Sequence, residues 1–320
     1  YKERCAVTIE DTQITKSTNP QKQLMITIKK YAAIDIGSNA MRLLVANIIE
    51  EKGMPTHFSK SALVRLPIRL GQDSFTAGNI SDENIDRMVD AMKAYKLLMK
   101  VHKVEKYVAL ATSAMREADN RHEVIKIIQE KADIKIDIID GKTEAAIIAS
   151  TDLHHLLETE NTYLYVDVGG GSTEFSLFSD RKMIASKSFK IGTVRLLNQM
   201  VDELVWQEIE QWIKTFTQEF DNVILIGSGG NINKLFKMSG KQQDKPLSLM
   251  YVTKRYNFLN SLTYEQRVSE LGLNTDRADV IVLATKIYLN AMKWSGAKKI
   301  FVPKIGLSDG IIKAMYYGKI

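Results

Sequence analysis

Ile34-Asp35-Ile36-Gly37-Ser38-Asn39 is repeated in design about 130 residues later by Val166-Asp167-Val168-Gly169-Gly170-Gly171-Ser172-Thr173-Glu174. Each stretch is an apolar strand ending in an aspartate, then a glycine-bearing turn with hydroxyl or amide side chains. A second apolar run follows, 41–49 in the first and 175–178 in the second. Such a turn suits phosphate. Glycine lets the backbone approach an anion and aim successive N–H groups at it, Ser and Asn add neutral donors, and the Asp can hold a divalent cation directly or through water. Two of these turns imply two similar halves gripping one phosphate chain.

Outward from these turns, β-branched runs predict strands at 31–36, 41–49, 106–111, 134–139, 163–168, 175–178, 222–226 and 299–302. Helical patterns lie between them. Ser81 is placed to cap a helix with Asp82 and Glu83 in its first turn, and Ile85, Met88, Val89, Met92, Leu98 and Met99 recur on one face as core. The stretch 276–294 reads as one long core helix, and Val124, Ile127 and Ile128 mark another. The alternation predicts an α/β chain with mainly parallel central sheets, each Asp-Gly turn adding a hairpin. The repetition divides it into a phosphate-binding domain at 25–147 and a second domain at 148–305, with a cleft between them. The boundary falls near the helix opening at 141–146, and a helix at about 306–320 is expected to pack back on the first domain. Residues 1–24 are polar and aperiodic, and read as a disordered extension ahead of Met25, the expected natural start.

With 320 residues, 45% hydrophobic and 26% charged, the chain is long enough for two cores and fits neither a disordered nor a fibrous class. No apolar run reaches the roughly 18 residues needed to span a bilayer, so a membrane is not an expected partner. The single cysteine, Cys5, excludes an intrachain disulfide and fits the reducing cytoplasm. A net charge of +6 favours an anionic partner. No homeodomain, zinc-finger or aromatic RNA-binding pattern argues for nucleic acid, and the glycine turns favour small polyphosphates.

Asp140-Gly141-Lys142-Thr143 looks like the end of a Walker A loop, but the glycine that loop needs five residues before Gly141 is Ile136. The informative residue there is Glu144, in the first turn of a helix that follows a strand. Its carboxylate either complements the helix dipole or points into the cleft as a base; the dipole lowers its pKa and a bound phosphate chain raises it. Arg116, just after the strand at 106–111, either grips phosphate bidentately or is a surface arginine at a helix start. The turn Gly227-Ser228-Gly229-Gly230-Asn231 leads from a strand into a helix over 232–238, so its amides can face a ligand. The histidines form no metal-binding pair beyond the adjacent His154-His155, and no GxSxG elbow supports covalent hydrolysis.

Taken in this order, AAIDIGSNAMRLLV at 32–45, ATSAMREADN at 111–120, the TEA step at 143–145 and VDVGGGSTEF at 166–175 resemble the exopolyphosphatase/guanosine-pentaphosphate phosphohydrolase family. That family is a branch of the sugar kinase, Hsp70 and actin superfamily, and the resemblance covers 25–320. It implies two ribonuclease-H-like domains around an interdomain cleft. The implied reaction is Mg2+-dependent hydrolysis of a terminal phosphoanhydride, in inorganic polyphosphate or guanosine pentaphosphate. By the same resemblance Glu144 is the general base, and Asp167 and Glu174 serve catalysis and metal binding, joined at the metal by Asp35. Gly37, Ser38 and Asn39 form the first phosphate loop, and Gly169, Gly170, Gly171 and Ser172 form the second. Arg116 and the turn at Gly229 and Gly230 complete the substrate contacts.

Some positions depart from the family pattern. Thr143 and Asn231 stand where a glutamate and a threonine are usual, Leu283-Ala284 replaces a Pro-Gly step, and 304–310 lacks an expected arginine. These changes leave the hydrolytic centre intact and open the choice of substrate. Longer relatives add C-terminal helical domains that hold a long polymer. A chain of two core domains is expected to prefer a short polyphosphate or a nucleotide, or to extend its basic surface as a homodimer. A kinase of the superfamily and a non-catalytic sensor of polyphosphate or guanosine alarmones are the alternatives; the carboxylates argue against the sensor, which has no need of a base.

Overall fold

The computed structural model describes residues 26–149, 151 and 161–320. The expected start at Met25, the extension before it and the His154-His155 pair lie outside the described residues. The first sheet is built from β1 (Ile26–Ile36), β2 (Met41–Glu51), β3 (His57–Leu66), β4 (Lys106–Ala111) and β5 (Asp137–Ile138), in the order β3-β2-β1-β4-β5. The second comprises β6 (Thr162–Val168), β7 (Thr173–Ser179), β8 (Lys182–Phe189), β9 (Val223–Ser228), β10 (Leu247–Ser248) and β11 (Lys299–Phe301), in the order β10-β11-β9-β6-β7-β8. The two sheets follow one path. A three-strand antiparallel meander comes first, and its opening strand then pairs in parallel with the strand that returns after two helices. The α/β class and the pair of ribonuclease-H-like units are therefore present. The sheets are mixed rather than mainly parallel, because each hairpin extends into a third strand that the hydropathy pattern did not show.

Those missed strands have a physical reason. β3 and β8 are edge strands, each is partly exposed along its length, and each pairs through a register shift that breaks the simple alternation. Conversely, Ile134, Ile136 and Ile139 are buried, yet only Asp137–Ile138 joins the sheet. The helix Asp82–Val101 begins as expected: the Ser81 side chain accepts from the Asn84 N–H, and Ile85, Met88, Val89, Met92 and Met99 are buried.

Each sheet has its own apolar core, and a third core lies between the two. That central core joins Tyr31, Ala33, Leu44 and Ile48 of the first sheet to Tyr165 and Ile226 of the second through two helices. Helix Gly141–Ala149 lies against β7 and β8, helix Leu307–Tyr316 lies against β1 and β2, and the two helices pack on each other. Polar ties also cross between the halves, Arg65 to Asp276, Arg69 to Asp279 and Arg195 to Glu117, and Lys60 of β3 ties to Asp309 of the helix Leu307–Tyr316. Among the described residues no helix is long and apolar enough to cross a membrane.

Candidate active site

The opening hairpins of the two sheets carry the site. In β1–β2, Asp35 faces Arg42 across the ladder, and the four-residue turn is closed by the Gly37 N–H donating to the Ala40 carbonyl at 3.2 Å. In β6–β7, Asp167 faces Glu174, and the Gly169 N–H donates to the Ser172 carbonyl at 2.9 Å. The turns meet: a side chain at Gly170 would come within 2.9 Å of Ser38 Cβ and 3.1 Å of the Asn39 nitrogen. Ser38 and Ser113 hydroxyls share a hydrogen bond of 2.9 Å, which fixes the first turn against the segment after β4.

Between the sheets lies a cavity of about 890 Å³. Its walls include the carboxylates Asp35, Glu144, Asp167 and Glu174, together with Gly37, Ser38, Asn39, Gly169, Gly170, Ser172, Gly229 and Gly230. Gly229 enters its helix at φ +114, where glycine is favoured, and a Cβ there would sit 3.2 Å from the Val168 carbonyl oxygen and 3.5 Å from Asp167 Oδ1. Arg116 and Gly171 are not among the described residues lining the cavity. Arg116 donates to the Ile139 carbonyl at 2.7 Å, and its charge favours ionised Glu144 and Glu174 from behind. Gly171 is packed against Phe75 and Ser113, and its carbonyl accepts from Arg195 Nε at 2.7 Å.

Three of the carboxylates resist ionisation. Burial pushes Glu144 well up, with further repulsion from Glu174, Asp167 and Asp35, and its Oε2 is buried without a hydrogen-bond partner. The expected depression by the helix dipole is thus outweighed. Burial and then Asp167 raise Glu174, against hydrogen bonds from Ser172 and Ser188. Asp167 is pushed up to about 6 by burial, partly offset by Arg42 and reinforced by Asp35. Asp35 is 3% exposed and accepts from Arg42 Nη1 at 2.8 Å.

The cavity also holds cations that the motifs did not reveal: Arg42, Lys60, Arg65, Lys234, Lys237, Lys241, Arg277 and Lys304. They come from β2, β3, the helices Gly230–Lys237 and Thr275–Ala278 and loops far apart in sequence, and only the fold collects them. Arg42 alone had a signal, since hairpin pairing sets it opposite Asp35. Burial and the neighbouring guanidinium of Arg65 lower the pKa of Arg277, as expected where cations are gathered without enough counter-charge. Arg65 Nε and Asn39 Oδ1 are buried with no partner among the described residues.

Among the described residues no three His, Cys, Asp or Glu side chains converge as a ready metal cage. Mg2+ rarely asks for one; it is usually held by one or two carboxylates plus substrate phosphates. Hard oxygens crowded together with raised pKa values, and the unpaired Glu144 Oε2, are a donor set that a divalent cation would relieve.

Residues 45–317 match the model of the Ppx/GppA phosphatase family. The chain is 26% identical to a bifunctional 3-dehydroquinate synthase/phosphatase of Fusobacterium nucleatum over 95% of its own length, but spans only 50% of that protein. It is 24% identical to exopolyphosphatase 2 of Mycobacterium tuberculosis, across 89% of this chain and 98% of the relative. Among solved structures, an exopolyphosphatase from Cytophaga hutchinsonii has a TM-score of 0.80 at 24% identity, covering 91% of this chain and 98% of that one. A family member from Aquifex aeolicus gives 0.71 at 23% identity, covering 92% and 99%. These structures are alike in fold, and with the family model matched over most of its length, the chain belongs to the Ppx/GppA phosphatase family.

Proposed function

We propose that the protein removes the terminal phosphate of inorganic polyphosphate in the cytoplasm, by Mg2+-assisted attack of a water activated by Glu144. The polarity of the cavity carries this reading. The charges that act on Glu144, Asp167 and Glu174 are these carboxylates themselves, Asp35, Arg42 and Arg116, while Lys60, Lys234, Lys237, Lys241 and Lys304 also line the cavity and are not among those charges. A linear polyanion laid along the lysines brings only its end to the carboxylates.

Phosphoryl transfer asks for positioning and charge neutralisation more than covalent chemistry. The turns at Gly37–Asn39 and Gly169–Ser172 offer amides and hydroxyls to the terminal phosphate, and Arg42 and Arg277 add positive charge. Glu144, with its raised pKa, is a better proton acceptor near neutral pH than an exposed glutamate. It takes a proton from water as the oxygen bonds to the terminal phosphorus, and the bridging P–O bond breaks with its electron pair going to the shortened chain. Asp167 and Glu174 would hold Mg2+, which when bound would neutralise charge on the phosphates; Asp35 is already tied to Arg42.

The test is Glu144→Gln, expected to keep polyphosphate binding in calorimetry and to lose at least about a hundredfold in turnover. Near-normal phosphate release would refute the assignment. One observation favours guanosine pentaphosphate as a second reading: Leu63, Phe236 and Ile305 line the cavity among the lysines, an apolar wall suited to a base and of no use to a bare polyphosphate. Phosphate release measured side by side on short polyphosphate, long polyphosphate and guanosine pentaphosphate separates the two. Binding without release on all three would point to a sensor.

A further inference from the structure

Ser188 lies on β8, the edge strand of the second sheet, directly across from Glu174 on β7. Its hydroxyl donates to Glu174 Oε1 at 2.9 Å. The same residue touches the helix that carries Glu144: a Cβ on Gly141 would fall 2.6 Å from Ser188 Cβ and 2.8 Å from its Oγ. Gly141 and Glu144 are three apart, so they share a helical face. One serine is thus in contact with one carboxylate of the site and with the first turn that sets the other.

The plain alternative is a serine satisfying itself within a sheet. The next pair on the same face provides the comparison, because Ser176 and Ser186 face each other two residues further along the same strands and share a hydroxyl hydrogen bond of 2.9 Å. There the ladder closes serine to serine, away from any carboxylate. At the next position inward the β7 partner is Glu174, and the serine's bond is spent on a charged group that lines the cavity. Hydrogen bonds to charged groups are roughly twice as strong as neutral ones and more directional in effect.

We propose that Ser188 is a positioning residue for the hydrolytic reaction: it holds Glu174 in place, and Gly141 is a glycine so that the Glu144 helix can seat on Ser188. The proposal rests on the reading of Glu174 and Glu144 as reacting groups. It assigns to an edge strand, which carries no motif, the task of fixing the separation of the two glutamates. A mispositioned catalytic group lowers turnover while leaving substrate binding to the loops and cations largely intact.

The experiment compares Ser188→Ala, Ser186→Ala, Glu174→Gln, Gly141→Ala and the double variant Ser188→Ala/Glu174→Gln, by steady-state phosphate release from short-chain polyphosphate. Ser188→Ala should lower kcat about tenfold with KM within about twofold, since a bond to a charged group is at stake. Ser186→Ala should stay within about twofold of the parent in both. Gly141→Ala reaches the same contact from the helix and should show the same kcat-only loss. The double variant should be no slower than Glu174→Gln alone, because Ser188→Ala keeps the Cβ that meets the Glu144 helix and removes only the hydroxyl, which acts through Glu174. A Ser188→Ala protein as fast as Ser186→Ala, a loss confined to KM, a full-rate Gly141→Ala, or a further tenfold loss in the double variant would each overturn the positioning role. If Glu174→Gln itself turns over at the parental rate, the reading of Glu174 falls and takes the proposal with it; an inactive Glu174→Gln beside a full-rate Ser188→Ala defeats the positioning alone.

Discussion

The β1–β2 and β6–β7 hairpins close through the same four-residue turn and set an aspartate at the same step, yet the residue facing it is Arg42 in one and Glu174 in the other. In the first hairpin the negative charge is answered on the spot, which leaves the turn to offer neutral donors. In the second it is doubled and buried, and both carboxylates are driven toward protonation. One hairpin geometry is used twice, and a single cross-strand position, Arg42 in one and Glu174 in the other, separates a paired aspartate from a pair of buried carboxylates.

Converting the second hairpin into a copy of the first is the harshest test. Glu174→Arg should abolish most turnover, by at least about a hundredfold, while polyphosphate affinity in calorimetry is retained or increased. Turnover within tenfold of the parent would mean that the asymmetry between the hairpins has no catalytic weight. Breaking the first hairpin should act on stability as well as on substrate binding. Arg42→Met leaves Asp35 buried without its partner and should cost about 2 kcal/mol in urea unfolding, less than a fully buried pair because the Arg42 side chain is 35% exposed.

Asp167 provides a test through pH, performed without divalent cation. Its folded pKa of about 6 lies above its ordinary value of 3.8, so the folded state holds the proton more tightly. Below pH 3.8 both states are protonated and nothing is lost; as pH rises toward and past 6, the folded protein must bury a charge and stability falls. Asp167→Asn should therefore raise Tm by a few degrees at pH 8 and change it little at pH 4. Equal shifts at both pH values would show that the residue is not strained by its charge. The smallest expected effect is at the cavity wall: Lys237→Ala should raise KM for long polyphosphate about twofold, leave kcat unaltered, and lose its effect at high salt.

The sequence made the two hairpins legible because turn chemistry is local: aspartate, glycines and hydroxyls sit within six or so residues and state their own geometry. Glu144 was legible only as a first-turn carboxylate after a strand, with its direction left open until the fold set it in the cavity wall. The cations were not, because Arg65, Lys237 and Arg277 come together only when the two sheets face each other. Nor was the break in the stretch 276–294 legible from its apolar spacing. The chain there forms Thr275–Ala278 and then Ile281–Trp294, and Asp279 between them reaches across to Arg69 of the other half. Arg116, a residue of suitable chemistry beside a phosphate-like motif, donates one guanidinium N–H to the Ile139 carbonyl and is not among the described residues lining the cavity, a placement its motif did not state.

The helix Leu307–Tyr316 covers the face of the first sheet that bears Tyr31, Ala33, Leu44 and Ile48, although nearly the whole chain separates them. Synthesis runs from the N-terminus, so that sheet leaves the ribosome early with one apolar face uncovered and keeps it so until residues 307–316 emerge. The second unit, built from a contiguous stretch, can close first. Of the two units, the one made first must wait for the later helix before its second apolar face is covered, which leaves that face exposed during elongation.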